Sequence, residues 1–196
     1  MESFARAIRL VPDYIDAYVN LGMLLKQQRR FEDAMKIFDA ALKQDPTSPE
    51  ATFGKGALFE AMGDTGRAMN GYQKAIDLRP DYAAPYTALS NLHIARGELD
   101  KAIDLYREAI RMNPLNADAH YNLGYAYYSS GDAQHAIECF AQTLRIDPGY
   151  AKAYFNLGVI YGNQYNDEAS VEAFRRAARM GLSDAQKVLS ERGIRW

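Results

Sequence analysis

The chain has 196 residues, of which 48% are hydrophobic and 24% charged, a composition that indicates a globular protein with a sizeable core and excludes a disordered one. Its 23 basic and 25 acidic side chains give a formal net charge of −2 without a basic cluster, so nucleic acid is not expected as a partner. The sequence has no apolar run long enough to cross a bilayer and no secretory signal, and its lone Cys139 suits a reducing compartment. We therefore expect no membrane insertion and a cytoplasmic location.

The first predicted element is a single helix in residues 2–11 with no preceding helix to pair with it. We interpret residues 1–14 as the second helix of a truncated or capping repeat, belonging to a longer protein. Such a helix would expose Phe4 and Ile8 on the side where its partner is missing. A second copy of the chain is one partner that could cover them, which makes a homo-oligomer one hypothesis.

After this helix, several residue types recur every 34 positions. The proline column is Pro12, Pro46, Pro80, Pro114 and Pro148. The aromatic column is Phe4, Phe38, Tyr72, Tyr106, Phe140 and Phe174, and the small-residue column is Gly22, Gly56, Ser90, Gly124 and Gly158. Small residues let two helices cross closely, a ring fills the space between them, and proline ends the second helix. Each unit is therefore predicted to be a helical hairpin.

Helix starts and stops follow the same spacing. Ser48-Pro49-Glu50 predicts an N-cap, a proline in the first helical position and an acid in the first turn. Within the units, Gly63, Gly97 and Gly131 are predicted to end the first helix in a left-handed conformation. In residues 183–192, an N-capping Ser183 is predicted to begin a closing helix. Its apolar face is Ala185, Val188 and Leu189.

The unit resembles a tetratricopeptide repeat. The motif Y-x-x-L-G-x-x-L runs from Tyr18 to Leu25, and the unit is completed by Ala34, Phe38, Ala41 and Pro46. This resemblance implies an all-α fold, a right-handed superhelical solenoid of antiparallel helix pairs. The repeats would be residues 15–48, 49–82, 83–116, 117–150 and 151–182, followed by a capping helix and tail in 183–196. Thr52 and Lys55 depart from the pattern, so looser packing is expected in the second repeat.

In this family, the first helices line a concave groove where extended peptides usually bind. Helical spacing places Tyr121, Tyr125 and Tyr128 on one stripe. By resemblance that stripe faces the groove, and a neighbouring column resembles the asparagine ladder of tetratricopeptide superhelices. The candidate binding residues are Asn20, Phe53, Asn91, Tyr121, Asn122, Tyr125, Tyr128, Phe155 and Asn156. Two alternatives remain open: the rings only pack against neighbouring helices, or the amides only bond local backbone and water.

Acidic groove positions favour a neutral or basic extended segment as the partner; they are Asp16, Glu50, Glu60 and Asp118. We expect no catalytic residues, because no nucleophile–base set or phosphate loop is present, and no metal or cofactor, because the three histidines have no ligand partners at metal-binding spacing. The predicted function is a protein–protein interaction scaffold. One alternative is the substrate-recruiting part of a larger enzyme, and another is a self-assembling structural protein.

Overall fold

The computed structural model describes residues 2–11 and 13–196, and this described part contains twelve α-helices and no strand. The chain divides into two compact units between Leu92 and His93. The first unit contains α1 (Glu2–Leu10), α2 (Ile15–Gln27), α3 (Phe31–Gln44), α4 (Pro49–Ala61) and α5 (Thr65–Leu78). The second contains α7 (Leu99–Met112), α8 (Ala117–Ser129), α9 (Ala133–Ile146), α10 (Ala151–Asn163), α11 (Asp167–Arg179) and α12 (Ser183–Glu191). The division falls within α6 (Ala83–Ala95).

Within each unit, consecutive helices pair as hairpins, and the predicted columns meet at their crossings. A Cβ atom on Gly22 would lie 2.7 Å from the ring of Phe38. The same atom on Gly158 would lie 2.8 Å from the ring of Phe174. Both rings are buried, so each ring occupies the space that the glycine leaves open, and the all-α hairpin prediction is confirmed.

Local signals at the helix ends are also confirmed. The Ser48 hydroxyl accepts a hydrogen bond from the Ala51 amide at 3.2 Å, and Pro49 is the first residue of α4. Left-handed turns with φ near +80° end the first helices at the three predicted glycines, Gly63, Gly97 and Gly131. Arg29 and Tyr165 occupy the same turn position in their own hairpins with φ of 60° and 59°, although neither is a glycine.

Two terminal predictions need correction. Ser183 is not the N-cap of α12, because the helix already includes it; Leu182 is the cap residue and makes no side-chain cap bond. On the predicted apolar face of α12, Ala185 and Leu189 are buried. At the other end, Phe4 and Ile8 are half-buried against the core of the first unit, which contains Leu21, Leu25 and Phe38. The large apolar residues left most exposed there are Leu10 and Val11.

Candidate functional site

In the second unit, three hydrogen bonds link α8 to α10 and its cap residue. The Tyr150 hydroxyl donates to Asp118 Oδ1 at 2.7 Å. Asn156 Nδ2 donates to the Tyr121 hydroxyl oxygen at 3.2 Å, and Asn163 Nδ2 donates to that of Tyr128 at 3.3 Å. The tyrosines of α8 thus connect successive first helices through polar contacts as well as through ring packing. We call the surface formed by Tyr121, Asn122, Tyr125 and Tyr128 of α8 with Phe155 and Asn156 of α10 the tyrosine face.

The rings of this face differ in exposure. Tyr121 is half-buried, with its ring centroid 4.9 Å from that of Tyr150 and 5.6 Å from that of Phe140, and burial raises the pKa of its hydroxyl. Phe155 packs edge-on against Phe174 at 5.4 Å. Tyr125, by contrast, is 45% exposed. Packing therefore accounts for much of Tyr121 and Phe155, whereas Tyr125 leaves a ring surface open to a ligand.

The polar groups of the face are only partly used. In the bond between Asn156 and Tyr121, the amide nitrogen donates and the hydroxyl oxygen accepts. The amide oxygen of Asn156 and the hydroxyl hydrogen of Tyr121 remain available, because an amide carries both donors and an acceptor and a hydroxyl carries one donor. Within the described residues, no buried side-chain nitrogen or oxygen lacks a hydrogen-bond partner. One acceptor and one donor therefore lie side by side.

The other three candidates belong to the first unit. Asn20 on α2 and Asn91 on α6 are exposed. Phe53 on α4 is half-buried, with its ring centroid 5.3 Å from that of Tyr72 and 5.5 Å from that of Tyr82. Phe53 thus contributes mainly to packing between its own hairpin and the following turn. The observed contacts of Phe53 are those expected of a ring that packs within the protein.

Most of the acidic groove positions already have partners. Glu50 forms an ion pair with Arg79 at 2.5 Å, and Glu60 accepts a hydrogen bond from the Tyr72 hydroxyl. Burial, together with this contact, raises the pKa of Tyr72. With Asp118 bonded to Tyr150, only Asp16 of the four is simply exposed. The acidic side chains at these groove positions are therefore partly occupied by contacts within the protein.

Sequence reasoning missed the links that Tyr150 and Asn163 make. The signal that could have found two of the three bonds is the 35-residue separation from Tyr121 to Asn156 and from Tyr128 to Asn163. It is one residue longer than the repeat, as expected for side chains that reach from one first helix to the next. Across residues 2–11 and 13–196, no cluster of three His, Cys, Asp or Glu could hold a metal ion, and no helix could span a membrane.

Comparison with known proteins agrees with this geometry. The tetratricopeptide repeat family model matches residues 2–49, 19–83, 87–151 and 125–185. The chain belongs to the tetratricopeptide repeat family. Human tetratricopeptide repeat protein 6 is 26% identical over 125 residues, which cover 47% of this chain. The chain spans about a quarter of that relative, 24% of its length.

Two solved structures share the fold over most of this chain. MamA is 28% identical, with a TM-score of 0.75 covering 84% of this chain and 96% of the MamA chain. YrrB, described as a tetratricopeptide protein with an unusual peptide-binding site, is 22% identical, with a TM-score of 0.76 covering 96% of this chain and 97% of its own. The family and these neighbours indicate a protein–protein interaction scaffold.

Proposed function

We propose that this chain is a binding module, with no reaction of its own, whose tyrosine face holds an extended peptide or protein segment. The observation that carries the proposal is the exposed ring of Tyr125 on the same helix face as the Tyr121–Asn156 pair. An aromatic ring supplies apolar contact area at a small entropic cost, because it has few rotatable bonds. The neighbouring pair supplies directional polar contacts. Together they can bind a segment without requiring one particular sequence.

The polar contacts match a peptide main chain. The Asn156 amide oxygen can accept a backbone N–H of the ligand, while the Tyr121 hydroxyl can donate to a backbone C=O. Both side chains are already held by their mutual bond and, for Tyr121, by packing against Tyr150 and Phe140. Little side-chain entropy is then lost when the ligand binds.

The charge near this face favours a neutral or basic ligand. Asp118 is an acidic residue in the first turn of α8, and it accepts a hydrogen bond from the Tyr150 hydroxyl. Because opposite charges steer association and like charges oppose it, an acidic segment would bind less well at this end of the face. YrrB, whose fold is shared, is itself described as binding a peptide.

A peptide-selection experiment tests this role. A phage-displayed random peptide library is selected on the intact chain, and the enriched peptides are measured by fluorescence anisotropy. Tyr125→Ala should weaken their binding by about fivefold or more, the loss typical of an interface residue that contributes over 1 kcal/mol. Tyr125 is 45% exposed and is not part of the buried core, so the variant should fold normally. Tyr121→Phe, which removes only the hydroxyl, should also weaken binding.

The matched control is Leu115→Ala, which removes an exposed apolar side chain from the turn preceding α8. This variant should bind the selected peptides like the original chain. Equal affinity for the original chain, Tyr125→Ala and Tyr121→Phe would overturn the proposal, because the peptides would then occupy another surface.

A further inference from the structure

A second surface of the protein, in the first unit, is a cleft of ≈ 280 Å³ between α4 and α5. Its lining on α4 is Thr52, Lys55, Gly56 and Phe59, and on α5 it is Arg67, Asn70, Gly71 and Lys74. Each set follows helical spacing, so the cleft runs along the interface between the two helices. On α4 this stripe differs from the one that carries Phe53. The cleft is therefore separate from the face that carries the groove candidates.

Three positions at the cleft carry residues that differ from those of the flanking repeats. Thr52 stands where neighbouring repeats have tyrosine, at Tyr18 and Tyr86. Lys55 stands where every other repeat has leucine, at Leu21, Leu89, Leu123 and Leu157. Gly71 stands where the flanking repeats have Ile37 and Leu105. With glycine on both helices at the crossing, α4 and α5 approach so closely that the looser packing expected in this repeat is not observed, and the cleft lies beside the crossing.

Positive charge surrounds the cleft. Lys55 forms an ion pair with Asp39 at 2.6 Å, and Arg67 forms one with Asp64 at 2.6 Å. Lys74 has no ion-pair or hydrogen-bond partner among the described residues. No acidic residue lines the cleft itself. The lining therefore carries three cations, one of which lacks a partner, and an anionic group would complement it.

The wall of the cleft is suited to an apolar group. The guanidinium of Arg67 lies 4.3 Å from the centroid of the Phe59 ring, which holds the ring and the cation together. Leu42 of α3 adds apolar surface at the edge. The volume is slightly below the range of about 300–1,000 Å³ typical of small-molecule pockets, which suits one large side chain better than a cofactor.

We propose that the α4/α5 cleft binds an acidic protein segment and takes up one of its aromatic side chains. The aromatic side chain lies against Phe59 and the glycine backbone of Gly56 and Gly71. Ligand carboxylates that flank this aromatic side chain contact Lys74, which has no acidic partner, and then Lys55 and Arg67, which already form ion pairs. The site prefers the opposite ligand charge from the tyrosine face, so the two sites select different segments.

Titration of ¹⁵N-labelled protein with the peptide Asp-Glu-Trp-Glu-Asp, followed by NMR, tests the site at weak affinities. The amide signals of Gly56 and Gly71 should shift saturably, and raised salt should weaken the binding because the contacts are ionic. Replacing the peptide tryptophan with alanine should reduce the affinity about tenfold. No saturable shift at these two glycines would overturn the proposal. Equal binding of the tryptophan and alanine peptides would also overturn it.

Two variants locate the site, and a third serves as control. Lys74→Glu reverses the unpartnered charge and should weaken binding by about tenfold or more. Lys55→Leu introduces the residue that the other repeats carry here, so it should fold, and it removes one cation from the cleft lining, so it should weaken binding. Lys187→Glu makes the same charge change at an exposed position of α12, and this variant should bind the peptide like the original chain. If Lys74→Glu and Lys187→Glu weaken binding equally, general electrostatic attraction explains it and the cleft is not the site.

Discussion

The α4/α5 and α8/α9 hairpins lie two repeats apart in the same register, yet their interfaces differ. In both, a glycine of the first helix faces a buried ring of the second: Gly56 faces Tyr72, and Gly124 faces Phe140. In α4/α5 the helices approach so closely that a Cβ atom on Gly71 would lie 2.8 Å from a backbone carbon of Gly56. In α8/α9 the residue at the Gly71 position is Cys139, which has a side chain. The repeat spacing sets where helices cross, and single positions at the crossing set what surface is left open.

The inward stripes of the same two hairpins differ in a related way. Phe53 has no polar group and is enclosed by Tyr72 and Tyr82. Tyr121 occupies the equivalent position 68 residues later and uses its hydroxyl to contact Asn156 on the next first helix. The hydroxyl of Tyr121 thus makes a polar connection to the next first helix, which the phenylalanine at the equivalent position of α4 cannot make. The same position of the repeat can therefore hold a phenylalanine that only packs or a tyrosine that also forms a hydrogen bond.

The difference between the two hairpin interfaces can be tested by substitution, and the largest change in stability is expected from Gly71→Ala. Alanine normally favours a helix over glycine, but here its Cβ would meet the backbone of α4, which cannot move as a side chain can. We expect the free energy of unfolding to fall by about 1–3 kcal/mol, as in other overpacked interfaces. Chemical denaturation followed by circular dichroism measures it.

Gly66→Ala is the matched control on the same helix, because the nearest atom to its new Cβ would be 3.8 Å away. This change should raise the free energy of unfolding by roughly 0.5 kcal/mol, through a smaller loss of chain entropy on folding. Effects of the same sign in both variants would show that helix propensity, and not close approach at Gly56, governs this hairpin.

A smaller effect is expected at the turns between paired helices. Gly131 ends α8 with φ of 89°, whereas Tyr165 holds the equivalent turn after α10 at φ of 59° and is 94% exposed. Tyr165→Gly should therefore stabilise the protein by about 1 kcal/mol, because glycine adopts this region without the steric penalty of a Cβ. The midpoint of thermal unfolding should rise accordingly.

The reverse change, Gly131→Ala, serves as the counterpart. It should lower the midpoint, because it places a Cβ in the left-handed region while leaving open space around it. If Tyr165→Gly lowered the midpoint instead, the tyrosine would be making a stabilising contact that its exposure does not suggest.

The sequence predicted the hairpins well because their signals are local and repeated. Ser48 caps α4 and Gly63 ends it as expected, since each depends on backbone a few residues away. The pairing of Asn156 with Tyr121 was not predicted, because spacing assigns a side chain to a helix face but does not name its partner. For the same reason, the sequence could not distinguish packing from binding at Phe53.

The sequence predicts looser packing at Thr52 and Lys55, but Gly71 on the facing helix has no side chain and lets the two helices approach closely. An open surface depends on both helices of an interface at once. The residues of both facing helices must therefore be compared together to predict where such a surface forms.

The last prediction concerns the chemical reactivity of Cys139, which occupies in α9 the position that Gly71 occupies in α5. Burial, with a smaller contribution from the neighbouring carboxylate of Glu138, raises the pKa of this thiol to about 11. At pH 8 the reactive thiolate should then be on the order of 100-fold scarcer than for an ordinary cysteine, and alkylation by iodoacetamide should be slowed at least as much relative to the denatured chain. The rate should keep rising with pH up to about 11, as mass spectrometry of the labelled protein would show. Labelling of the folded and denatured chains at similar rates would mean that the thiol is open to solvent in the folded protein.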